Sequence, residues 1–156
     1  MKTIIVLSDT HGYKRGIEKL DKIFAESDLI IHLGDTSADG NYIAAKYPDK
    51  TYVINGNCDL QKLGSDEEII QVEDVKIFAC HGHRYSVKTT LAKIAERAKE
   101  LGCKLALYGH THIMREDEID GITVVNPGSI SRYGAQSYLY VVINADKIIT
   151  KCVTTG

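Results

Sequence analysis

Residues 2–55 alternate short β-branched apolar runs with amphipathic stretches, and this alternation constrains the fold more than any other feature of the chain. "TIIVLSD" has the composition of a buried strand that ends abruptly in small polar residues. "GIEKLDKIFAES" follows, with Ile17, Leu20 and Phe24 at helical spacing. "DLIIHLGD" is a second buried run, "NYIAAKY" a short helix closed by Pro48, and "KTYVINGNCD" a third strand entering a Gly-Asn turn. Strand, helix, strand, helix, strand predicts a parallel sheet covered by helices.

The pattern then changes. "EIIQVEDVKIFACHG" places Ile70 and Val72 before a Glu73-Asp74 turn and Val75, Ile77 and Ala79 after it, predicting an antiparallel hairpin. "TTLAKIAERAKELG" puts Leu91, Ile94, Ala98 and Leu101 on one helix face, with Gly102 as its C-terminal stop. Strands are expected at "KLALYG", "MREDEID", "ITVVN", "SYLYVVIN" and "KIITKCV", the second and third joined by an Asp120-Gly121 turn. The expected architecture is a mixed α/β fold, parallel in its first half and antiparallel in its second. At 156 residues a single domain over 1–156 is the economical reading. A chain of this size buries roughly 70% of its unfolded surface, enough for a core without staples.

Composition excludes some roles. A net charge of −2 gives no electrostatic footprint for duplex nucleic acid. The apolar run near Met1 is too short for a signal-peptide core or a membrane span. Cys58, Cys80, Cys103 and Cys152 are scattered without C-x-x-C spacing and read as reduced thiols, so the cytoplasm is the expected compartment.

Several of the apolar runs end in the same chemistry. The first ends in Asp9 and His11, the second in Asp35, and the third in Asn57, Cys58 and Asp59. "VKIFACHGH" ends in His81 and His83, and "KLALYGHTH" in His110 and His112. Taken singly, Asp9 could cap a helix, Asp35 and Asn57 could be turn formers, and His32 within its apolar run is a core or interface histidine. Together, five of six histidines placed directly after strand-like runs are hard to obtain from caps and turns. In open α/β sheets ligands bind beyond the carboxyl ends of strands.

Imidazole and carboxylate are the usual ligands of first-row divalent metals, and residues at i and i+2 of an extended segment point to one side. Asp9 with His11 and His110 with His112 have that spacing. The tally of donors is seven (Asp9, His11, Asp35, Asn57, His81, His110 and His112), which with one bridging carboxylate fits two ions better than one. Two-metal sites clamp both oxygens of an in-line displacement at phosphorus. Two divalent ions less two aspartates leave a net charge of about +2, suited to an anionic ester. The lack of thiolate pairs argues against structural zinc.

"SDTHG", "LGD", "NGNCD", "CHGH" and "YGHTH", followed by "NPGS" at Asn126 to Ser129, stand in the order seen in the calcineurin-like metallophosphoesterase superfamily. The length, the Gly-Asn-Cys-Asp variant and the trailing "NPGS" resemble its small bacterial and archaeal phosphodiesterases of the YfcE type. The resemblance implies a four-layer α/β/β/α sandwich with mixed sheets and a dinuclear metal centre at the strand ends. By the same resemblance Asp9, His11 and His112 would hold one ion, Asn57, His81 and His110 the other, and Asp35 would bridge. Many relatives carry a histidine, assigned to leaving-group protonation, where this chain has Cys58. A thiol beside a cationic centre is a poor proton donor, and the plain alternative is a small buried group that packs.

The expected reaction is hydrolysis of a phosphodiester by a metal-bridging hydroxide. Asp35, Asn57, His81 and His110 would serve catalysis, with Cys58, Asp59 and His83 on the substrate side or behind the ligands. Mn2+ is the first choice of cofactor, with Ni2+, Fe2+, Zn2+ or Mg2+ open. The expected partner is a small phosphate ester, with no duplex nucleic acid and no membrane, and the resemblance allows a homodimer. Tyr85, Arg132 and Tyr133 are candidates for the rim of an open site. The competing functions are a phosphomonoesterase or nucleotide hydrolase of the same fold, and a non-catalytic scaffold of the retromer-subunit type.

Overall fold

The opening run folds as β1 (Lys2–Leu7), and its residues alternate between two buried environments. Successive side chains of a strand point to opposite faces, so a run apolar at every position needs cover on both sides. Ile4 and Val6 face a second sheet, whereas Ile5 and Leu7 face helices, and all four are fully buried. Burying each such side chain contributes about 1.5–3 kcal/mol. The computed structural model describes residues 1–155.

After β1 come α1 (Lys14–Glu18), α2 (Asp21–Glu26), β2 (Leu29–His32), α3 (Ser37–Lys46) and β3 (Thr51–Val53). The hairpin β4 (Glu67–Val72) and β5 (Val75–Cys80) leads through a 3-10 turn (His83–Tyr85) to α4 (Ala92–Glu100). The chain closes with β6 (Leu105–Leu107), β7 (Arg115–Ile119), β8 (Ile122–Asn126), β9 (Gln136–Asn144) and β10 (Lys147–Thr155).

Two five-stranded sheets result, in the orders β10-β9-β1-β2-β3 and β4-β5-β6-β8-β7. One apolar cluster lies between them, joining Ile4, Val6, Ile31 and Leu139 of the first sheet to Ile77, Leu105, Leu107 and Val125 of the second. The outer face of the first sheet packs on α1, α2 and α3 through Ile17, Phe24 and Ile43. That of the second packs on α4 through Ile94, Ala95 and Ala98. The layers are therefore α/β/β/α, as the motif resemblance implied.

Two expectations need correction. The second half is not simply antiparallel: β5, β6 and β8 run parallel, because α4 carries the chain back between β5 and β6, and the β7–β8 hairpin returns β8 beside β6. Alternating apolar residues fix which faces are buried and leave strand direction undetermined. Moreover, β9 and β10 rejoin the first sheet, β9 pairing antiparallel with β1. The helix expected over residues 16–27 is two short helices, with Lys19 and Leu20 between them. The Asp120-Gly121 turn has positive φ at both residues, as a two-residue hairpin of this hand requires. No helix among the described residues is long and apolar enough to cross a membrane.

Candidate metal centre

The parallel trios β1-β2-β3 and β5-β6-β8 present the ends of their strands to one place. Asp9, just past β1, is fully buried. Its Oδ2 accepts hydrogen bonds from the Ser8 hydroxyl at 2.6 Å and the His110 backbone N–H at 2.9 Å. Its Oδ1 is buried with no partner. That oxygen faces His112 Nε2 at 3.1 Å, His11 Nε2 at 3.8 Å and His81 Nε2 at 3.9 Å.

His81, past β5, sits 2.7 Å from the Leu33 carbonyl through Nδ1. A carbonyl only accepts, so Nδ1 carries the proton and the second nitrogen of the neutral ring is a lone pair. That nitrogen, also without a hydrogen-bond partner, stands 3.3 Å from Asp35 Oδ2. Asp35 Oδ1 accepts from the Cys58 backbone N–H at 2.9 Å. Lone pairs of two carboxylates and an imidazole thus converge in a buried space, an arrangement that calls for a cation. Without a cation a proton on His81 Nε2 takes its place: burial works against charge on both Asp35 and His81, yet their attraction in that form lowers the Asp35 pKa and, with help from Asp9, raises that of His81.

The donor atoms of Asp9, His11 and His112 lie within 4.8 Å of one another, and so do those of Asp9, Asp35 and His81. Two overlapping donor sets therefore share Asp9. The structure brings His110 alongside, its ring 5.1 Å from that of His81. Asn57 lies at the surface, in the turn where the Cys58 N–H reaches Asp35.

The i, i+2 pairs do not converge by the pleat of an extended segment, as the spacing implied. Asp9, His11, Asp35, His110 and His112 all have φ between 46° and 71°, the left-handed region. For residues with a Cβ this costs about 1–2 kcal/mol each. The loops hold this shape through hydrogen bonds between them, from Asp9 N–H to Gly34, from His11 N–H to Asp35 and from Gly109 N–H to His81 carbonyls, at 2.9–3.0 Å. Close approach also requires glycine at 109, where a Cβ would sit 2.7 Å from Asp9 Oδ2 and nearer still to the Ser8 hydroxyl.

Behind the donors lies a layer that sequence reasoning largely missed. The Asp59 carboxylate accepts from the backbone N–H groups of Asp35 at 3.0 Å, Ser37 at 2.8 Å and Gly56 at 2.7 Å. It clamps two loops and does not face the cation space. His32, read as a core histidine, is fully buried, and burial lowers its pKa to about 4. Its Nδ1 accepts from Gly34 N–H at 3.1 Å, so Nε2 carries the proton and donates to Thr10 Oγ1 at 2.9 Å. The Thr10 hydroxyl donates in turn to Asp39 Oδ2 at 2.5 Å, which also accepts from Gly12 N–H at 2.8 Å. This chain fixes the Asp9–Gly12 loop from beneath. Its one sequence signal was an aspartate in the first turn of α3, which looks like an ordinary helix-dipole residue. The "NPGS" segment buttresses the same loops. Asn126 Nδ2 donates to the Gly109 carbonyl and Thr111 Oγ1, and the Ser129 hydroxyl to the Asp9 carbonyl.

The periphery brings further corrections. Cys58 is exposed and is not a buried packing group, because its turn projects from the sheet ends. Partial burial and the neighbouring Asp35 raise its thiol pKa. Tyr85 is not a rim residue. It packs edge-on to Phe78 under α4, its ring 5.7 Å away, and its hydroxyl donates to Glu67. Arg132 and Tyr133 are exposed on the loop after Ser129, with no hydrogen bond or ion pair to the donor residues. His83 is half-buried beside His81 and His110, its ring 5.5 and 6.1 Å from theirs, and burial lowers its pKa.

Two buried carboxylates and the buried His81, opening onto the more exposed imidazoles of His11, His110 and His112, with a carboxylate oxygen and an imidazole nitrogen both unpartnered, fit divalent cations and the charge neutralisation a phosphate ester needs. Comparison with known proteins agrees. "Probable metallophosphoesterase YsnB" of Bacillus subtilis is 34% identical over 128 residues, covering 81% of this chain and 74% of the relative. "Phosphodiesterase MJ0936" of Methanocaldococcus jannaschii is 31% identical over 152 residues, covering 82% and 84%. A crystal structure from Streptococcus pneumoniae, described as a predicted phosphoesterase, superposes with a TM-score of 0.83 at 25% identity over 98% of this chain and 89% of that one. A zinc complex of Vps29 from Entamoeba histolytica shares the fold alone, with a TM-score of 0.77 at 19% identity over 98% of each chain. The sequence profile of the calcineurin-like phosphoesterase superfamily domain matches residues 1–147, and with the motif order and the site geometry this establishes that the chain belongs to that superfamily.

Proposed function

We propose that this phosphoesterase is a phosphodiesterase acting on small phosphate esters with two divalent ions, Mn2+ before Ni2+, Fe2+, Zn2+ or Mg2+. The observation that carries this reading is the pair of buried, unpartnered atoms, Asp9 Oδ1 and His81 Nε2, within two overlapping donor groups that each draw on both sheets. Asp9, His11 and His112 would hold one ion and Asn57, His81 and His110 the other, with Asp35 between them. Asp9 Oδ1 also faces both groups. Two such ions, when bound, supply Lewis acidity toward the phosphoryl oxygens and acidify water enough to react near neutral pH.

The protein's own contribution is placement. Leu33 fixes the His81 tautomer, which keeps Nε2 free to ligate. The Cys58 N–H holds one Asp35 oxygen and leaves the other toward His81. Asn57, at the surface, would donate its amide to an equatorial phosphoryl oxygen as charge develops there. His110 closes the same edge beside His81. The chain works as one domain, because both sheets contribute donors. Four unpaired thiols support a reducing compartment such as the cytoplasm.

Turnover of bis-p-nitrophenyl phosphate by purified protein with added manganese tests the reading. Hydrolysis that chelator abolishes and manganese restores is expected, at a rate above that for p-nitrophenyl phosphate. A faster monoester reaction would favour a phosphomonoesterase. Absence of any metal-dependent hydrolysis would favour the scaffold role.

A further inference from the structure

We propose that the cleft beside Asn57 is an anion subsite, which selects phosphodiesters carrying a second phosphate group next to the scissile one. This rests on the phosphodiesterase reading. The cleft has a volume of about 230 Å³ and is lined by Asn57, Lys62, Asp66, His83 and Arg84, with Asp59 at its inner end. Asn57 belongs to both the cleft and the candidate metal centre, so a group bound here adjoins the reacting phosphorus.

Three features give the cleft its chemistry. Lys62 makes no ion pair among the described residues. Arg84 is oriented by one contact, Nη2 to Asp66 Oδ2 at 3.3 Å, and its other N–H groups meet no acceptor among the described residues. Asp66 is itself held by the Asn55 side-chain amide, so the guanidinium rests on a fixed support. His83 Nδ1 is buried and lacks any hydrogen-bond partner among the described residues, and it can donate to a phosphate oxygen in the tautomer that protonates it. Asp66 offsets one of the two cations. Asp59 is occupied by three backbone N–H groups, which disperse its charge. The formal charges of the lining cancel, but Asp59 is turned to backbone N–H groups and Asp66 to Arg84, so the mouth presents an ammonium, a guanidinium fork and an imidazole, donors that match a phosphate monoester.

The probes are thymidine dinucleotides with a 5′-phosphate, with a 3′-phosphate, and with neither. Their affinities for the full chain are measured by calorimetry without metal and their KM values with manganese. One phosphorylated form should bind about tenfold more tightly than the plain dinucleotide, the size of one charge-assisted hydrogen bond. Lys62→Ala/Arg84→Ala should erase that preference while its circular dichroism matches the wild type. Equal affinity for all three probes, or a preference that survives the double substitution, would overturn the subsite. A binding preference lost in the variant, without hydrolysis of any probe, would uphold the subsite and overturn the phosphodiesterase reading instead.

Discussion

At Asp9 the two carboxylate oxygens have opposite surroundings: one is held by Ser8 and the His110 backbone, the other is buried and bare. A buried acceptor without a donor costs roughly 1–3 kcal/mol, more when charged. The site is therefore built to be completed by a cation. Asp35 is the second such carboxylate, and Asp35→Ala should lower manganese-dependent diester hydrolysis at least 100-fold with the circular dichroism unchanged. Full activity at saturating manganese would remove Asp35 from the site. Beneath them, Asp39 acts at a distance through Thr10 and Gly12. Outer partners of ligand groups typically contribute 10–100-fold in metal affinity. Asp39→Asn should accordingly weaken manganese binding by about that factor in calorimetry, with the far-ultraviolet spectrum retained. Wild-type affinity in the variant would show the network to be packing only.

The elements that matter most are the short loops after β1, β2 and β6, where five donor residues take left-handed backbone. Such conformations persist where the surroundings over-determine them, and they concentrate at functional sites. His112→Gly relieves one of them, at φ 64°, and removes a candidate ligand. Without metal this variant should be more stable by about 1 kcal/mol, raising Tm by roughly 2–4 °C, while its manganese-induced shift shrinks. A lower metal-free Tm would show that the His112 backbone is not strained. The convergence of Asp9, His11, Asp35, His81, His110 and His112 was legible in the sequence because each lies just past a buried strand-like run. The left-handed turns were not legible, since histidine and aspartate carry no glycine-like marker of positive φ. Nor was the parallel course of β5, β6 and β8, because burial patterns are the same for either direction. The sequence places Asp59 among the groups on the substrate side or behind the ligands, but nothing in it singles out Asp39, whose N–H partner lies in another loop.

In the molecule as a whole, two sheets share one apolar cluster and each supplies part of the donor set. Asp9, His11, Asp35 and Asn57 follow strands of the first sheet, and His81, His110 and His112 follow strands of the second. A bound cation thus ties the layers together, and linkage converts that into stability. At about 100 times its dissociation constant, one ion adds about 2.7 kcal/mol. In a chain of this size that should raise Tm by roughly 5–10 °C in a melting scan with manganese. No shift would mean that the folded and unfolded chains bind the ion alike. The fold positions chemistry at the seam between its two sheets, which is why neither half of the sequence carries a complete site. The most direct test is equilibrium dialysis of metal-stripped protein against manganese, with bound metal and diester hydrolysis measured on the same samples. Two ions per chain, with hydrolysis rising as they bind, is the predicted result. Less than one ion per chain at saturation, or hydrolysis undiminished in the stripped protein, would contradict it.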